Sequence, residues 1–226
     1  MMMVTISLYL QNVGGYSAYQ SGLIFITMSG TFALLSVLGG KAADQVNPMK
    51  MVFTGLVMMA AAGLIATLTI DSLYFICGFL TIFGLGLGVS VPAVNTSMMR
   101  SVPKAIMSTA SGIFTTANTL GHTFGVIVST SVLTGIGQYN LLHRVGEADL
   151  SFTQEYRDLL LSVFGSAHRN FTKIEEIGGI ELVAKLDAIM DTAFTGAMVY
   201  VMIILATLSV FAALGARKQI NMFDEK

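Results

Sequence analysis

Long uncharged apolar runs alternate with short polar breaks along this chain. Residues 20–40, 51–70, 73–99, 108–136 and 192–216 each form such a run. About 20 apolar residues in a helix cross the ~30 Å hydrocarbon layer of a bilayer. Backbone groups in lipid have no water to pair with, so runs of this length are predicted to be α-helices. The period-two alternation of a membrane β-barrel is absent. Residues 1–12 form a sixth, shorter apolar run, which as a helix rises only ~18 Å. A start at that point leaves the amino group and unpaired N–H groups inside the bilayer, at a cost. The chain is therefore expected to be truncated, or to begin at an internal methionine of a longer gene.

Residues 138–191 break the pattern, because they are long, polar and acid-rich. Within them Tyr156, Leu159, Leu160, Val163 and Phe164 recur at helical spacing, as do Leu182, Val183, Leu186, Ile189 and Met190. Two short amphipathic helices over the outer mouth of the bundle satisfy this spacing, and so does a solvated loop. The predicted architecture is an all-α integral membrane bundle with five full spans and one partial span. Residues 138–191 are an extracytoplasmic loop in it, and residues 217–226 a tail.

The placement of bases orients the bundle, since Lys and Arg are enriched in cytoplasmic connections. Lys41 and Lys50 mark the second connection as cytoplasmic, and Arg100 and Lys104 mark the fourth. Arg217 and Lys218 put the C-terminus on the same side, whereas the third connection carries only Asp71. Tyr16, Tyr19, Tyr74 and Tyr139 fall near the opposite ends, where aromatic rings anchor at the interface. The chain is expected to be a multi-pass plasma membrane protein in contact with lipid.

Composition narrows the function. Only 11% of residues are charged, against ~25% in soluble domains. Mean hydropathy is +0.74. A net charge of -1 gives no footprint for nucleic acid. Cys77 is the sole cysteine, so no intrachain disulfide forms. No nucleophile–base pair, metal-ligand cluster or phosphate loop is present, so neither an enzyme, a metal nor a cofactor is expected. The Gly-rich GLGLG stretch lies inside an uncharged span rather than after a strand, which excludes a nucleotide loop.

Small residues four apart let helix backbones approach closely. Gly84 and Gly88 have that spacing, as do Ala117, Gly121 and Gly125. Among polar residues within spans, Thr27 and Thr119 are expected to bond back to their own helices. Asn95 and Asn118 are harder to explain by packing, because an amide facing lipid is costly. Each is read either as interhelical glue or as a substrate contact. No Asp or Glu lies deep in any span, and His122 carries the one side-chain type there that titrates near neutrality.

The stretch from Gly40 to Lys50 carries Lys41, Asp44 and Lys50 around Asn47 and Pro48. It is predicted to be a tight turn, with Pro48 ending the preceding helix and Asn47 tolerating a left-handed conformation. The acid precedes a helix N-terminus, where the dipole favours negative charge. This stretch resembles the G-x-x-x-D-R-x-G-R-R/K loop of the major facilitator superfamily, with Gln45 and Asn47 replacing the family's Arg and Gly. Three further segments resemble the drug:proton antiporters with fourteen spans in that superfamily, in the same order. They are Tyr9-Leu10-Gln11-Asn12-Val13 with Gly15-Tyr16-Ser17 and Gly22; Gly84, Gly86, Gly88 and Pro92; and Ala110-Ser111-Gly112 with Asn118, Gly121, Gly125 and Val126.

The resemblance implies the C-terminal helix bundle of a transporter whose two halves rock around a midplane site. It implies a cytoplasmic gate at Gly40, Asp44 and Lys50. It places Gln11, Asn95, Asn118 and His122 on spans facing the cavity, and the spans at 51–70 and 192–216 at the periphery. Gly84, Gly88, Gly112, Gly121 and Gly125 are expected to serve helix packing. The implied activity is proton-coupled export of amphipathic organic compounds by alternating access, with protons, a small organic substrate and a missing N-terminal half or another membrane chain as partners. The alternative is a truncated or regulatory half-transporter that moves nothing itself.

Overall fold

The structure, a computed structural model, describes residues 1–68, 72–147, 160–161, 164 and 172–224. Among the described residues six α-helices occur in order: α1 (Met2–Asn12), α2 (Ala18–Gln45), α3 (Pro48–Leu68), α4 (Leu73–Ser101), α5 (Met107–Glu147) and α6 (Thr172–Asp224). A short 3₁₀ turn, Lys104–Ile106, precedes α5. Among the described residues five stretches of helix are long and apolar enough to cross a membrane, one in each of α2 to α6.

Local chemistry explains where the first helices stop and start. After α1 the chain turns at Gly14-Gly15, with Gly15 at φ 66°, a conformation open to glycine. The N–H of Tyr16 reaches back to the Leu10 carbonyl at 2.9 Å. Ser17 and Gln20 then form a reciprocal cap: the Ser17 N–H donates to the Gln20 side chain at 2.9 Å, and the Gln20 N–H donates to Ser17 Oγ at 3.2 Å. The tyrosine–glycine–serine segment is thus the exit of α1 and the entrance of α2.

The charged break differs from its expected form as a turn from 40 to 50. Helix α2 continues through Lys41 and Asp44 to Gln45, leaving only Val46 and Asn47 outside regular helix. No residue before Asn47-Pro48 obliges the helix to stop. Asn47 acts through its side chain, whose oxygen accepts the Met49 N–H at 3.0 Å, and Pro48 takes the first helical position.

The largest departure concerns residues 138–191. Helix α5 runs on to Glu147, and α6 begins at Thr172 and passes without interruption into the last apolar run. The expected short helix around 182–190 is therefore part of α6. No proline interrupts that stretch, and Gly178-Gly179 weakens a helix by only ~1 kcal/mol per glycine. The other expected amphipathic segment, 156–164, lies outside the described residues except for Leu160, Leu161 and Phe164. Residues 69–71, with Asp71, also lie outside them.

The chain divides into two compact units. One comprises residues 1–21 and 124–201. Its buried side chains include Ile6, Leu10, Leu141, Leu186, Met190 and Met198. Gly137 faces the Phe164 ring, which in turn packs on Phe194 with ring centroids 5.9 Å apart. Gly125 faces Met1, 3.2 Å from where a Cβ would stand.

The other unit comprises residues 22–123 and 202–226, with α4 packed on both α2 and α3. Successive residues turn by 100°, so Gly84 and Gly88 share a face while Gly86 points nearly opposite. A Cβ on Gly84 would stand 2.5 Å from the Met28 carbonyl of α2, and one on Gly88 would stand 2.7 Å from Leu35. Gly39 of α2 approaches the Gly88 carbonyl in the same way, at 2.6 Å. On the opposite face Gly86 and Gly55 of α3 are reciprocal: each Cβ would meet the other's carbonyl, at 2.6 and 2.5 Å. Such contact is available only where both helices lack side chains. Gly63 of α3 faces Met202, Leu205 and Ala206 of α6.

Alanines join large side chains such as Phe79, Leu80 and Met28 in the interior, while many other large apolar side chains face outward. Ala43, Ala62, Ala66, Ala93 and Ala213 are buried, whereas Leu34, Leu38, Leu64, Leu68 and Phe211 are exposed. That distribution suits a bundle solvated by hydrocarbon, where large apolar side chains gain nothing by hiding.

Candidate functional site

At one end of the second unit the C-termini of α2 and α4 meet the N-terminus of α3. Ala43, Val52 and Ala93 cluster there with Ala216 of α6. This packing brings Lys41, Asp44, Lys50, Arg100, Arg217 and Lys218 to a common end. Arg100, in the last turn of α4, crosses to α2. Its Nη2 donates to the Asp44 main-chain carbonyl at 2.9 Å and lies 3.8 Å from Asp44 Oδ1. A guanidinium is favoured against the unpaired carbonyls of a helix C-terminus, and the carboxylate adds attraction. Both side chains are substantially exposed, at 41% and 75%. In sequence Arg100 marks only orientation; its partner is 56 residues away, and no local pattern announces the pair.

Deeper in the same unit, a groove of about 400 Å³ opens among α3, α4 and α5. Val52, Leu56 and Met59 line it from α3, Ser90 and Asn95 from α4, and Phe114 and Asn118 from α5. Ser90 Oγ is already engaged, donating to the Gly86 carbonyl at 2.7 Å. Every residue lining the groove is uncharged. The structure thus brings Asn95 and Asn118 together. The participation of α3 was not legible in the sequence, because its contribution is wholly apolar.

Gln11 and His122 do not line this groove. Gln11, in the other unit, donates its side-chain amide to Ser7 Oγ one turn back, at 2.9 Å. His122 is exposed on α5. Thr27 and Thr119 donate to the Ile24 and Thr115 carbonyls of their own helices, which satisfies both hydroxyls.

Of the glycines singled out by spacing, Gly84 and Gly88 sit at a helix crossing and Gly125 lies against Met1. Gly112 and Gly121, also expected to serve packing, and Gly40 of the expected gate border open space, with no atom within 4 Å of an added Cβ. Gly39, Gly55 and Gly86, which spacing did not single out, make close approaches. The described residues hold no cluster of three metal-ligating side chains.

Residues 1–126 match the Major Facilitator Superfamily. That is more than half of the 226 residues, and the chain belongs to this family of membrane transporters. It is similar to a tetracycline resistance determinant of Streptomyces rimosus, with 32% identity over 160 residues, covering 69% of this chain and 44% of that protein. It is similar to the multidrug transporter protein MdtP of Bacillus subtilis, with 26% identity over 127 residues, covering 55% of this chain and 24% of that one. The quinolone resistance protein NorB of Staphylococcus aureus shares 28% identity over 135 residues, covering 58% of this chain and 29% of its own. The chain spans less than half the length of these relatives. It is an integral membrane protein of a transporter family, not an enzyme.

Proposed function

We propose that this chain forms one helix bundle of a proton-coupled exporter of amphipathic organic compounds, working by alternating access. The observation that carries the reading is the family match together with relatives named for tetracycline, multidrug and quinolone handling. The Arg100–Asp44 contact supports a gate at the base-rich end, which the positive-inside rule assigns to the cytoplasm. Gly40 and Lys50 flank that gate. Asn95 and Asn118 are the substrate contacts, and His122 is a proton relay; Gln11 is a cavity candidate by the family resemblance alone.

In a two-bundle transporter the substrate sits between halves that move against each other. Activity therefore requires a second bundle, either an N-terminal half or another membrane chain. A second reading comes from the same relation: the chain regulates a membrane partner without transporting.

Inverted membrane vesicles from the native host test the exporter reading. Under an imposed proton gradient they should accumulate tetracycline, and deletion of this coding sequence should lower that accumulation several-fold. Equal accumulation with and without the sequence would overturn export and leave the regulatory reading.

A further inference from the structure

Most polar side chains within the helices are satisfied locally, as in Thr27, Thr81, Ser90 and Thr119, each of which donates to a carbonyl three or four residues back. Asn95 and Asn118 differ: both amides are exposed, neither makes a hydrogen bond among the described residues, and both line the groove of about 400 Å³. We propose that this groove binds a neutral amphipathic small molecule whose hydrogen-bonding groups are held between the Asn95 and Asn118 amides. The inference rests on the exporter reading for the transport step after binding, and deepens that reading by naming the class of substrate.

Size, position and charge support it. Pockets of ~300–1,000 Å³ accept drug-sized ligands. Asn95 and Leu87 stand ~9 and ~21 Å from the last residue of α4 at 1.5 Å per residue, which places the groove inside the ~30 Å hydrocarbon layer. An amide there without a partner is costly, so a ligand that supplies one is favoured. Each amide offers both donors and an acceptor, and two of them read a polar group with both functions, such as an amide or a hydroxyl next to a carbonyl. Val52, Leu56, Met59 and Phe114 supply the apolar wall for the rest of such a molecule. An uncharged lining gives an organic cation no counter-charge to offset its desolvation.

The test uses the full chain purified in detergent. Equilibrium dialysis measures binding of radiolabelled chloramphenicol, an uncharged amide with two hydroxyls. Tetraphenylphosphonium, a lipophilic cation without hydrogen-bonding groups, serves as competitor. Saturable binding is expected, with no displacement by the cation. Asn95→Leu and Asn118→Leu should each weaken it about tenfold, as loss of one hydrogen bond does. Leu56→Trp, which fills the groove from α3 and leaves both amides in place, should abolish it, with circular dichroism confirming the fold. Absence of saturable binding, unchanged affinity in both asparagine variants, or displacement by the cation would overturn the proposal. Failed binding alongside proton-driven accumulation in vesicles removes the groove and keeps the exporter; binding without accumulation does the reverse.

Discussion

Arg100 holds Asp44 mainly through the main chain: its Nη2 is 2.9 Å from the Asp44 carbonyl oxygen but 3.8 Å from the carboxylate. The two interactions are therefore separable by mutation. Asp44→Asn keeps the closer contact and removes only an exposed ion pair, so stability should change by less than ~1 kcal/mol. Arg100→Ala removes both contacts and should cost about 1–2 kcal/mol, less than a buried charged hydrogen bond because the site is open to water. Thermal unfolding in detergent measures both. If the contact gates, each variant lowers transport while Asp44→Asn alone leaves the melting temperature unchanged. A transport rate unaffected by either change reduces the pair to a helix-end contact.

The glycines on α4 predict unequal penalties for one chemical change. A Cβ on Gly86 stands 2.6 Å from the Gly55 carbonyl, and main chain cannot swing aside as a flexible side chain does. Gly86→Ala should therefore destabilise the protein by about 1–3 kcal/mol through overpacking. Gly112→Ala enters open space and should be neutral or stabilising by up to ~1 kcal/mol, from reduced freedom of the unfolded chain. Similar melting temperatures for the two variants would contradict the close α3–α4 crossing.

Helix caps give a third, local prediction. Ser17→Ala removes the acceptor for the Gln20 N–H, and Asn47→Ala removes the acceptor for the Met49 N–H. Each should cost ~1 kcal/mol. Ser17→Thr, which keeps the acceptor, should recover most of the loss in the same melting assay.

Orientation is testable by labelling. With Cys77 replaced by Ser, a single cysteine at Lys41 or Lys104 should react with a membrane-impermeant maleimide only in inverted vesicles, if the base-rich end is cytoplasmic. Labelling from the outside of intact cells would reverse the assignment, and with it the side on which Asp44 and Arg100 act.

His122 allows a kinetic test. His122→Gln keeps a polar side chain but cannot titrate. If the imidazole relays protons, the pH dependence of vesicle accumulation should differ between His122→Gln and the unaltered chain. An unaltered profile would remove His122 from coupling and leave it as an exposed residue of α5.

Hydropathy and base placement alone announce the membrane helices, because lipid forces any long uncharged run to pair its own backbone. The Ser-x-x-Gln cap and the Asn-Pro start of α3 are likewise local, since each is completed within three residues. The extended ends of α5 and α6 were not legible: polar, acid-rich composition reads as loop, yet no residue between Thr172 and the last span forbids helix. The asparagines were recognisable as costly in lipid, but whether they meet depends on how α4 and α5 are placed. The same limit applies to the GLGLG stretch. Its periodicity assigns two faces, but only packing shows that α2 covers one and the glycine of α3 the other.

Composition and periodicity thus establish a helical membrane protein, its spans and its base-rich end, because those properties depend on each segment's own exchange with lipid. The Arg100–Asp44 contact, the Gly55–Gly86 crossing and the three-helix groove belong to tertiary structure. Each joins residues far apart in the chain, and its geometry depends on how closely helices approach, which no single segment encodes.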